Sequence, residues 1–125
     1  MNGWLLTAAV LALAAAVAHS YLGERFILVW LLRRPDLPHL LKSGVLTKQI
    51  LRLAWHVTSI AWCGAAALLW ALGRGAPRLG LQVLSITFLM SAVVTAIGSR
   101  GRHPAWLVFA AIAVAAWIGA SQLQG

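Results

Sequence analysis

Four long apolar segments, separated by short polar turns, dominate this sequence and restrict what it can fold into. A helix needs about 20 mostly apolar residues to cross the hydrocarbon core of a bilayer. Charged residues make up only 10% of the chain, against roughly 25% in soluble domains, so a soluble globule would lack polar surface. The pattern therefore predicts an all-α fold, an integral membrane four-helix bundle with short loops.

Helix-breaking prolines and glycines set the predicted ends of the helices. On this basis the helices cover residues 4–32, 47–72, 79–98 and 105–121. Four membrane-crossing helices use about 80 residues and leave no room for a separate soluble domain. We therefore expect residues 1–125 to form a single transmembrane domain.

The first predicted helix is longer than one membrane crossing requires. At about 1.5 Å per residue it would measure roughly 45 Å, whereas the hydrocarbon core is about 30 Å thick. The sequence Gly23-Glu24-Arg25 interrupts its apolar character. This length fits either one tilted helix or a helix that bends near residues 23–25 and continues along the membrane surface.

Cations between the apolar segments predict the orientation of the chain. The second connection carries only Arg74 and Arg78, whereas the first and third carry Arg33, Arg34, Lys42, Lys48, Arg52, Arg100 and Arg102. Because basic loops stay on the cytoplasmic side, we expect both termini on the outer side of a bacterial-type inner (plasma) membrane. The net charge of +8 is then a topology signal, and no basic stripe with interleaved aromatics indicates nucleic-acid binding.

Polar residues within apolar helices are costly, so they mark candidate sites. In the first segment, Ser20 and Glu24 lie about 100° and 140° from His19 around a regular helix, within half of its circumference. In the second segment, His56 and Ser59 share a face. The two segments cross the membrane in opposite directions, so both histidines should lie at a similar depth near the cytoplasmic side.

A row of hydroxyl residues in the third segment ends in the same cytoplasmic half. We therefore predict one polar cluster with basic residues at its rim. The predicted members are His19, Ser20, Glu24, His56, Ser59, Thr95 and Ser99, and the rim consists of Arg25, Arg52 and Arg100.

Each of these residues also has a purely structural role open to it. A serine or threonine in a membrane helix commonly bonds to its own backbone or to a neighbouring helix. Glu24 could pair with Arg25 or Arg52, because a carboxylate is tolerated best near the end of a segment. A hydrogen bond between a histidine and Glu24 could simply hold two helices together.

Two functional hypotheses use the histidines and Glu24. In the first, His19 and His56 supply the axial nitrogens of a b-type haem, and Gly23 is among the small residues that make room for the ring. A metal ion of unknown identity, held by the same histidines and Glu24, is a variant of this hypothesis. In the second, Glu24 and the histidines pass protons or ions across the membrane, although the outer half of the first, second and fourth segments offers no polar residues for such a path.

The third hypothesis is a non-enzymatic accessory or assembly subunit of a larger membrane complex. It is the one we favour, because few residues within the apolar segments are ionisable. The sequence contains no Gly-x-Ser-x-Gly motif, no His-Glu-x-x-His motif and no paired carboxylates, so nothing supports an enzyme. The expected partners are the lipid bilayer and either another protein or a second copy of this chain.

Overall fold

Four long helices make up most of the chain in a computed structural model that describes residues 2–39 and 42–123. They are α1 (Gly3–Leu31), α2 (Gly44–Gly73), α3 (Pro77–Gly98) and α4 (Ala105–Gln122). Each helix is long and apolar enough to span a membrane, which indicates a multi-pass membrane protein. The predicted all-helical class and the number of apolar helices are thereby confirmed.

Polar caps explain where the first two helices begin. The side chain of Asn2 accepts the backbone N–H of Trp4 at 3.1 Å, which satisfies a donor that the first turn of α1 would otherwise leave free. The hydroxyl of Ser43 accepts the N–H of Leu46 at 3.2 Å in the same way. This cap starts α2 at Gly44, three residues before the predicted start at 47.

Tight turns join the last three helices. Gly75 and Gly101 have φ angles of 71° and 74°, a left-handed conformation that glycine adopts without the steric penalty of a Cβ atom. Pro77 then opens α3 at a position where the missing N–H costs nothing. These short turns place successive helices beside each other and antiparallel.

The helices pack in chain order: α1 against α2, α2 against α3, and α3 against α4. Within the described residues there is no extended contact between α1 and α4, so the bundle is open and these two helices form its edges. Small side chains mediate much of the packing, because they let helix backbones approach closely. The fully buried alanines are Ala9, Ala16, Ala66, Ala71, Ala92, Ala113 and Ala120.

One stretch of α1, from Gly23 to Leu28, is π-helical. After it, the N–H of Val29 donates to the carbonyl of Glu24, five residues back instead of four. Gly23 and Leu28 are both buried, although residues five apart would lie about 140° from each other on a regular α-helix. Near the position where the sequence suggested a bend, the chain remains helical and changes its winding.

Candidate functional site

A cluster of six hydrogen-bonded side chains joins α1 to α2, and we refer to it as the polar clasp. Three of its members come from α1 and three from α2, and the hydrogen bonds between its side chains all run from one helix to the other. The members are His19, Ser20, Glu24, Arg52, His56 and Ser59. Five of them were predicted as members of one polar cluster, and Arg52 was predicted at its rim.

Glu24 lies at the centre of the polar clasp and uses both carboxylate oxygens. One oxygen accepts a hydrogen bond from the guanidinium of Arg52, and the other lies 3.1 Å from Nε2 of His56. The Glu24 and His56 side chains are about one-third exposed, at 34% and 35%. The carboxylate therefore binds two groups of α2 at once.

Both histidines bond to serines on the opposite helix. Nδ1 of His56 lies 3.0 Å from Oγ of Ser20, and Nδ1 of His19 lies 3.0 Å from Oγ of Ser59. The Glu24 carboxylate, ionised beside Arg52, can only accept hydrogen bonds, so Nε2 of His56 is the protonated nitrogen and donates a hydrogen bond to it. In the neutral ring, Nδ1 of His56 then accepts from the Ser20 hydroxyl.

Trp55 completes the contact between α1 and α2. Its indole stacks on the ring of His19, with centroids 4.4 Å apart and planes 8° from parallel. Its Nε1–H donates to the backbone carbonyl of His19 at 3.0 Å. The indole covers Gly23, where an added Cβ atom would lie 2.1 Å from Nε1.

Sequence reasoning did not include Trp55 in the site and gave Gly23 a different role. The space beside Gly23, which the haem hypothesis reserved for a ring, is occupied by the indole. A signal for this contact exists in the sequence: Gly23 lies four residues after His19, on the same face of a helix, and Trp55 precedes His56.

The predicted hydroxyl members from α3 form no hydrogen bond with the polar clasp among the described residues. Ser99 donates to the carbonyl of Thr95 at 2.6 Å and accepts the N–H of His103 at 3.3 Å. The hydroxyl of Thr95 is buried and has no hydrogen-bond partner among the residues that the structure describes. The Ser99 hydroxyl thus bonds within α3 and to the turn after it.

Two of the predicted rim residues also lie elsewhere. Arg25 donates to the hydroxyl of Tyr21, one turn earlier in α1, at 2.9 Å. Arg100 is exposed in the turn after α3, with a φ angle of 52°. Of the three predicted rim cations, Arg52 is the one that takes part in the polar clasp.

The only other acidic residue of the sequence, Asp36, forms a separate pair in the connection after α1. Arg34 donates two hydrogen bonds to its carboxylate, both 3.0 Å long. These bonds hold the pKa of the Asp36 carboxyl below its ordinary value. Both side chains are exposed, at 63%, so this pair is solvated whereas that of Glu24 lies between two helices.

The hydrogen bonds of the polar clasp limit which histidine nitrogens are free to bind a haem iron or a metal ion. An axial ligand needs an imidazole nitrogen with a free lone pair, and both ring nitrogens of His56 are engaged by Ser20 and Glu24. No group of three or more histidine, cysteine or acidic side chains able to hold a metal occurs within residues 2–39 and 42–123. A ligand role for His19 and His56 stays a prediction, and for His56 it would require one of these two bonds to break.

Part of the polar clasp has the arrangement that proton transfer needs. Ser20, His56 and Glu24 form a hydrogen-bonded row, and a histidine bonded at both nitrogens can pass a proton between them. The row connects α1 to α2 and ends at Arg52, which donates to the other oxygen of Glu24, and no hydrogen bond between the described residues carries it further. A complete transport path stays a prediction as well.

Comparisons of the chain with protein-family models, with curated proteins and with solved structures find no match.

Proposed function

We propose that this protein is a non-enzymatic accessory or assembly subunit of a larger membrane complex. The observation that carries the proposal is that each ionisable group of the polar clasp is bonded to another member of it. Groups that satisfy one another stabilise a contact between helices and leave few polar atoms for a substrate. The clasp thus supports a structural role for residues that were also candidates for chemistry.

The open bundle supports the same proposal. The edge helices α1 and α4 expose apolar side chains such as Leu11 and Val114, at 65% and 59%. Beyond the polar clasp, the faces of the helices are the main surface through which a protein with so few polar residues can act. Close packing of membrane helices relies on small residues, and both edge helices are rich in alanine.

The experiment places a photo-crosslinking amino acid at Leu11 or at Val114, both outside the residues that line the cavities between α1 and α3, in the full chain expressed in its native membrane. We expect irradiation to link at least one edge to a larger membrane protein in a defined complex. A probe at Arg102, exposed in a turn, is the control and should give no such product. Products containing only a second copy of this chain at both edges would contradict the proposal.

For the orientation, we propose that both termini lie on the outer side of a bacterial-type inner membrane. The basic first and third connections support this through the positive-inside tendency. In a Cys63→Ala background, Ser121→Cys should react with a membrane-impermeant maleimide on intact spheroplasts, whereas Ser43→Cys should react only after lysis. The reverse order of labelling would show that the proposed orientation is inverted.

A further inference from the structure

A groove runs along one side of the bundle between α1 and α3, with α2 as its floor. It consists of two adjoining cavities of about 550 Å³ and 600 Å³. Both cavities are lined by His56 and Val94, so they form one continuous depression. We refer to it as the lateral groove.

The two ends of the lateral groove differ in chemistry. One end is lined by three cations, Arg33, Lys48 and Arg52. Only Arg52 has a carboxylate partner, Glu24, so two positive charges remain unbalanced at this end within the described residues. The other end is mostly apolar.

The hydroxyl groups along the groove are already engaged within the protein. The hydroxyl of Thr87 donates to the carbonyl of Val83 at 2.8 Å, and the Ser20 and Ser59 hydroxyls bond to the two histidines. An occupant therefore meets an apolar surface over most of the length and free positive charge at one end. This distribution matches an anionic head with an apolar chain.

The length of the groove fits one acyl chain. From Arg52 to Ala67, which both line it, α2 advances 15 residues or about 22 Å. One leaflet contributes about half of a hydrocarbon core roughly 30 Å thick. A chain that starts at the basic end can therefore remain beside α2 through its entire leaflet.

We propose that the lateral groove binds one anionic phospholipid, with its phosphate against Arg33 and Lys48 and one acyl chain between α1 and α3. This site goes beyond the proposed accessory role and does not depend on it. A lipid there would fill the opening that α1 and α3 leave over the floor of α2.

Native mass spectrometry of the detergent-solubilised full chain tests the headgroup. We expect dipalmitoyl phosphatidylglycerol to be retained at least tenfold better than the phosphatidylcholine with the same chains. Each surface cation contributes roughly a fivefold gain in affinity for anionic lipid, so Arg33→Gln with Lys48→Gln should weaken retention about 25-fold. The control removes the same charge from the opposite turn, with Arg74→Gln and Arg78→Gln, and should retain the lipid.

A second pair of variants tests the acyl chain. Val94→Phe fills the junction of the two cavities and should reduce lipid retention about tenfold, whereas Val93→Phe adds the same ring on an exposed position outside the groove. Thermal unfolding of both variants in detergent verifies that they remain folded. If Val94→Phe does not, Ile86→Trp replaces it, because it adds a large ring at an exposed position that lines the groove, and it should also reduce lipid retention.

Three outcomes would overturn the lipid site. Equal retention of the two lipids would remove the role of the cations. Binding of inorganic phosphate as tightly as phosphatidylglycerol would show a simple anion site without a chain. Equal loss of lipid in Val94→Phe and Val93→Phe would show that the chain does not lie in the lateral groove. None of these results alters the crosslinks expected at the edge helices, so the two proposals fail separately.

Discussion

Gly23→Ala is expected to destabilise the packing of α1 on α2 by about 1–3 kcal/mol. The added methyl group would lie 2.1 Å from Nε1 of Trp55, far inside van der Waals contact. Movement of the indole would cost free energy, because it stacks on His19 and donates a hydrogen bond to the His19 carbonyl. Relief of the clash must therefore disturb the polar clasp or separate the two helices.

Unfolding in mixed micelles of mild detergent and increasing sodium dodecyl sulfate measures this effect. Gly119→Ala is the matched control, because Gly119 also lies within a helix and nothing lies within 4 Å of its added Cβ atom. Alanine is intrinsically better than glycine in a helix by about 1 kcal/mol, so this control should be unchanged or slightly stabilised. Equal stability of the two variants would refute the contact between Gly23 and Trp55.

Glu24→Gln is expected to lower the free energy of unfolding by about 2 kcal/mol. This value lies within the net contribution that a hydrogen bond to a charged group makes to stability. The carboxylate joins α1 to two groups of α2, and its neutralisation leaves the guanidinium of Arg52 without a counter-charge. An unpaired cation beside an apolar span is costly. The same unfolding titration in micelles measures the loss.

Asp36→Asn provides a control with the same change of charge. Asp36 pairs with Arg34 in an exposed connection, where water and salt screen the interaction. We expect little change in the unfolding midpoint for this variant. If Asp36→Asn and Glu24→Gln shifted the unfolding midpoint equally, the effect would come from the change in net charge. The bonds of Glu24 in the polar clasp would then add nothing to the stability of the protein.

The sequence predicts the helices well because the length of an apolar segment is a local property. All four observed helices begin and end within about three residues of the predicted limits. It also predicts the polar faces of α1 and α2, because residues on one arc of a helix tend to meet the same neighbour. The bonds of Glu24 to His56 and Arg52 follow from those faces, and the structural alternative of a bond that joins two helices matches what is found.

The same reasoning does not give the hydrogen-bond partners of Thr95 and Ser99, because a helical wheel does not specify which neighbour a face meets. Ser85, on the buried side of α3, donates to the carbonyl of Ala113 in α4 at 2.7 Å, so part of the hydroxyl-bearing face turns towards α4. The sequence pattern also did not predict the π-helical stretch of α1. Periodicity arguments assume 100° per residue, and one wider turn shifts every residue after it.

The polar clasp has a consequence for how the chain enters the membrane. His19 and Glu24 lie on α1, which is synthesised before α2, and their partners Ser59, His56 and Arg52 follow about 30 to 40 residues later. Alone in lipid, α1 would expose an ionisable pair without compensation. The two helices should therefore leave the insertion machinery as one hairpin, with α1 retained until α2 has been made.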